Sequence, residues 1–102
     1  MAFNRHTASA VGTSPITVLT VAAGQEAVVI GINLANTSAS QVSVSVQLAG
    51  VYLIKDAPIP AKSALSPLDG KVILKAGDTV IVTSSIATSC DVIVSALEQA
   101  ES

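Results

Sequence analysis

Gln41-Val-Ser-Val-Ser-Val-Gln-Leu48 alternates without a fault. In an extended chain Val42, Val44, Val46 and Leu48 fall on one face, and Ser43, Ser45 and Gln47 on the other. That period of two specifies a half-buried strand. The polar face carries no charge, so a strand of this kind needs cover to avoid edge-to-edge association.

The same signature continues on both sides. Val, Ile and Thr supply 31 of the 102 residues, and turn residues recur about every ten positions, the spacing of an all-β sandwich or barrel. The pattern predicts strands at 16–21, 26–36, 41–48, 51–57, 63–68, 71–74, 78–83 and 91–97. The expected fold is therefore an antiparallel two-sheet β-sandwich of about eight strands, Ig-like or jelly-roll-like, with an extended N-terminal arm. Asp69-Gly70 has the composition of a type I′ hairpin turn, and Ala49-Gly50 marks another turn. Pro58 and Pro60 bar their segment from a central strand, which makes it an edge or a crossing between sheets.

Two regions depart from simple alternation. Residues 1–12 are polar and run into the domain without a turn signal. They read as an N-terminal arm, either disordered or docked elsewhere, ahead of a single domain at 13–102. The last strand is apolar on both sides, with Val92, Val94 and Ala96 on one and Ile93 and Leu97 on the other, so it calls for cover from a second layer or a partner.

Composition excludes several function classes. The net charge is −2 with only five basic residues, too few to neutralise phosphates in quantity, so no nucleic-acid partner is expected. Between Arg5 and Lys55 the sole formally charged residue is Glu26, and that uncharged half predicts an assembly surface. No apolar run reaches the ~18 residues of a membrane helix, and the first residues lack the apolar core of a secretory signal. A soluble protein made in a cytoplasm, without a membrane partner, is the expectation.

Material for chemistry is sparse. His6 and Cys90 are the only histidine and cysteine, which leaves no disulfide, no thiolate–imidazole pair on a firm support and no zinc ligand set. Cys90 reads as a small buried hydrophobe. Asp56, Asp69, Asp78 and Asp91 are scattered over turns and strand ends, where turn chemistry explains them. Asn36-Thr37-Ser38 matches a glycosylation acceptor by chance. No catalytic, cofactor-binding or metal-binding residues are assigned, no cofactor is expected, and the protein is read as no enzyme.

Residues 18–26 (VLTVAAGQE), the strand Val28–Asn36 ending in Leu-Ala-Asn-Thr, Lys55-Asp56-Ala57-Pro58-Ile59-Pro60, Leu74-Lys75-Ala76-Gly77-Asp78-Thr79-Val80 and the closing 91–98 segment occur in this order over most of the chain. In order and overall length they resemble the small all-β virion structural proteins of tailed bacteriophages, notably head decoration or cement proteins. The resemblance implies a non-enzymatic protein located in the virion. Its partners would be the major capsid protein and copies of itself, as a homotrimer over a three-fold position. A neck, tail or fibre-attachment component is the alternative within that group, and a small carbohydrate-binding module around Tyr52 is the alternative outside it. Residue type nominates Phe3 and Arg5 as anchors of the arm and Tyr52 as an interface anchor. Ser43, Ser45 and Gln47, with Ile93 and Leu97, complete the expected interface. It is pictured as an uncharged surface running from the arm to Tyr52.

Overall fold

The computed structural model describes residues 2–68 and 70–100. It is all-β: β1 Ala2–Val11, β2 Ile16–Thr20, β3 Gln25–Asn36, β4 Val42–Leu48, β5 Val51–Ile59, β6 Ala64–Leu65, β7 Val72–Leu74, β8 Thr79–Ser84 and β9 Cys90–Ala100. Two antiparallel sheets form. The first has the order β1-β9-β3-β6, with β7 also pairing β3, and the second has the order β2-β8-β4-β5. With β6 and β7 counted as one interrupted strand, the pairs nest as first with last, second with next-to-last, and so inward. That nesting is a jelly roll, which decides between the two topologies open from sequence.

The decisive stretch behaves as its alternation requires. Along β4 every second residue from Val42 to Leu48 is buried, and the polar residues between them are half-buried. β4 is an inner strand flanked by β8 and β5, so neighbours within its own sheet satisfy its main chain. Val44, Val46, Val80 and Val82 face Val29, Leu34, Val92 and Val94 in a core of small branched side chains, each worth about 1.5–3 kcal/mol when fully buried.

Turn chemistry fixes the register. Ala49 and Gly50 both have positive φ (53° and 78°) between the paired Leu48 and Val51, the geometry of a two-residue type I′ hairpin. The Asp69-Gly70 hairpin expected from sequence falls partly on Asp69, which lies outside the described residues. At the other end of the sandwich Gly12 fits a close approach, because a Cβ there would meet Ala87 Cα at 3.0 Å and Thr88 N at 3.1 Å and the β8–β9 loop would have to give way. Around it Ser84 N donates to Gly12 O and Ser89 N to Val11 O, which ties the first strand to the β8–β9 loop.

Three expectations change in detail. Residues 2–11 are a strand of the first sheet, paired with β9 from Ala2↔Glu98 to Val11↔Cys90. Val11 is part of the core. The strand expected at 63–68 shrinks to Ala64–Leu65, because Pro67 brings no N–H for a ladder, although Leu68 still packs on the core. Conversely β5 runs through Pro58 to Ile59, which proline tolerates at the edge of a sheet.

Asn36 fastens the two sheets. It ends β3 in the first sheet, is 2% exposed, and shares its amide hydrogens among the carbonyls of Ser40 (2.9 Å), Ile59 (2.9 Å) and Pro60 (3.1 Å). Its Oδ1 accepts from Ser38 N and Ser38 Oγ. An amide nitrogen so buried and so engaged offers no acceptor for a glycan. Ser84 and Ser89, the other buried polar side chains, bond each other at 2.7 Å.

Candidate interaction surface

Register places four apolar residues in one row across the outside of the first sheet. Phe3 on β1 faces Leu97 on β9, Leu97 faces Val28 on β3, and Val28 faces Ile73 on β7. Phe3 is 77% exposed and Ile73 62%, with Val28 and Leu97 half-buried between them. Ile30 joins the patch because β3 bulges there. Val29 pairs with Ala96 and Gly31 with Ser95, so Ile30 is the extra residue and its side chain is exposed. Phe3 and Ile30 border a depression of about 610 Å³ over Ser95. Ile93 extends the apolar surface two rows further, between Thr7 and Asn33.

Polar groups rim this row. Next to it along the strands, Arg5 pairs with Ser95 on one side, and Glu26 pairs with Gln99 on the other. Glu26 accepts from Gln99 Nε2 (2.8 Å) and Lys75 Nζ (3.2 Å), and these two bonds hold its carboxyl below the ordinary glutamate range. An apolar strip with a polar border has the anatomy of a protein interface.

β1 owes its place to an inverted pattern. Its inward positions are Asn4, His6 and Ala8, opposite Ala96, Val94 and Val92. Asn4 Nδ2 donates to Glu98, and His6 Nε2 lies 3.1 Å from Glu98 Oε1, so the inward polar groups find partners at the mouth of the sandwich. Phe3, the one large apolar side chain of this strand besides Val11, therefore faces outward.

The nominated interface residues divide between the two sides of the molecule. Phe3, Arg5, Ile93 and Leu97 share the outer face of the first sheet. Ser43, Ser45, Gln47 and Tyr52 share the outer face of the second, where Gln47 sits between Ile81 and Tyr52. The continuous surface from the arm to Tyr52 therefore does not exist, since the hydrophobic core lies between its halves. Val28, Ile30 and Ile73 belong to the apolar face and were missed from sequence. Gly31 within a strand pattern was the available sign of the bulge that exposes Ile30.

The remaining groups stay apart. Cys90 is fully buried opposite Val11, and burial raises its thiol pKa, whereas His6 lies opposite Val94 and is engaged by Glu98. Asp78 accepts from Lys75 N within a turn, and Asp91 accepts from Ala10 N across the β1–β9 pair. Among the described residues no three His, Cys, Asp or Glu side chains converge as metal ligands, and no helix is long and apolar enough to cross a membrane. Comparison with known families, characterised proteins and solved structures gave no match, so the two faces themselves carry the functional reading.

Proposed function

We propose that this chain is a non-enzymatic virion structural protein, a head decoration protein that packs the outer face of its first sheet against copies of itself and the capsid shell. The observation that carries this reading is the row Phe3–Leu97–Val28–Ile73, four apolar side chains aligned across β1, β9, β3 and β7. Jelly rolls serve in capsids, lectins and enzymes alike, so the fold does not choose among them. The order of motifs that resembles phage decoration proteins supports the virion setting. The apolar row supports association. A face spanning the molecule's 45 and 20 Å extents is large enough for the ~800 Å² that each partner of a standard interface buries.

The mechanism is steric. Each copy contributes modest apolar burial, and simultaneous contact with several capsid subunits around a symmetry axis converts that modest affinity into resistance to their separation. Purified protein mixed with decoration-free phage capsids is expected to bind saturably at symmetry-related positions, and Ile73→Lys to abolish binding without unfolding the monomer. Absence of binding in native salt rejects the reading. Ring or fibre density away from the head shell would transfer the same face to a neck or tail role.

A further inference from the structure

The outer face of the second sheet carries a groove of about 430 Å³, and we infer that it binds a neutral saccharide of one or two rings. Its floor is Ser45 and Gln47 of β4 with Ile81 and Thr83 of β8, while Pro15 forms one wall and Tyr52, Lys55 and Asp56 of β5 form the other. That second wall exists because β5 bulges twice. Lys55 and Asp56 together oppose Ser45, and Leu53 is extra between the pairs Val46↔Ile54 and Gln47↔Tyr52. Bulges at a sheet edge re-aim side chains, and here they turn Tyr52 and Lys55 over the floor.

The chemistry on offer is that of a sugar site. The floor has no charge, and it supplies donors and acceptors together. Among the described residues the Gln47 amide and the Thr83 hydroxyl make no hydrogen bond within the protein. Ser45 Oγ accepts from Asp56 N at 3.0 Å and keeps its own proton to donate. Tyr52 is 48% exposed, with Lys55 Nζ over its ring 5.2 Å from the centroid. The electron-rich ring that attracts this ammonium also attracts the polarised C–H groups of a pyranose.

Other ligand classes fit less well. An anionic ligand would meet one lysine with an aspartate beside it. A peptide adding as a strand would pair with the free outer edge of β5, away from the groove floor, because β4 beneath the groove is paired on both sides. The wall is also fixed in advance. Asp56, one of five described non-glycine residues with positive φ, sits at +52° in the bulge with its N–H bonded to Ser45 Oγ, which holds the wall in place.

The test is an amide chemical-shift titration of the full chain with glucose, galactose, mannose, N-acetylglucosamine and their β-linked disaccharides, with glucuronic acid in a separate arm. At least one neutral sugar is expected to shift the amides of Gln47, Tyr52 and Thr83 saturably. Tyr52→Ala should weaken that binding roughly tenfold and Tyr52→Phe should retain it. The spectra themselves report whether each variant is folded. If no neutral sugar moves these amides, if Tyr52→Ala binds as well as the parent, or if only glucuronic acid binds, the inference is overturned. The groove faces away from the apolar row, so its failure leaves the assembly reading untouched.

Discussion

The two outer faces have the same construction and opposite chemistry. Across the first sheet one four-strand row reads Phe3, Leu97, Val28, Ile73, and across the second the corresponding row reads Thr17, Ile81, Gln47, Tyr52. Both rows lie outside the core. The second is mostly polar and is at ease in water. The first leaves Phe3, Ile30, Ile73 and Ile93 exposed, apolar surface that gains free energy only when something covers it, at roughly 25 cal/mol per Å². A jelly roll thus separates its two potential functions by the thickness of one core.

The largest way to break this arrangement is to detach the sheets from each other. Asn36→Ala removes three donated and two accepted hydrogen bonds at the buried end of β3. Chemical denaturation should show a loss of about 2–4 kcal/mol, and both faces should lose their definition together. A midpoint within error of the parent would mean that the sheets are held by apolar packing alone.

A smaller change should touch only the second face. Asp56→Val forces a β-branched residue into left-handed backbone and should lower stability by about 1–2 kcal/mol. Asp56→Gly relieves the same backbone and should raise stability by up to ~1 kcal/mol while loosening the wall beside Tyr52. Equal effects from the two substitutions would contradict a strained bulge. Neither should alter association through the first sheet.

The smallest effect is on the rim of the first face. Because Glu26 has a pKa below its ordinary value of 4.5 in the folded chain, its contribution to stability is present above that value and is lost as pH falls through the lower, folded one. Thermal midpoints measured across the acid range should therefore decline more steeply in the parent than in Glu26→Gln. Identical slopes would dissociate the Lys75–Glu26–Gln99 group from stability.

The contrast between faces also explains what the sequence disclosed. The central strands were legible because Val42–Leu48 and Thr79–Ser84 alternate with one face in the core, and turns bound them. β1 was not, because its inward positions are Asn4, His6 and Ala8, held by Glu98 and by pairing to β9, while Phe3 points to solvent. Local pattern contains no trace of a partner strand ninety residues away. The two-sided apolarity of Ile93 and Leu97 beside Val92 and Val94 was readable, and it marks the exposed row. Its other members, Val28 and Ile73, come into line only through register, and Ile30 only through the bulge at Gly31. Which nominated residues share a face was likewise a matter of topology. Ser45 and Tyr52 could be joined to Phe3 on paper, but the jelly roll puts a core between them.

The association proposed for the outer face of the first sheet stands or falls on whether the chain self-associates through it. The measurement that addresses it most directly is the molar mass in solution by size exclusion with light scattering, for the parent and for Leu97→Lys side by side. The parent is expected to elute as an oligomer of the 10.2 kDa chain, a trimer in the proposed role, and Leu97→Lys as a folded monomer. A parent that stays monomeric at high concentration, or an oligomer indifferent to a lysine at the centre of the row, would contradict it.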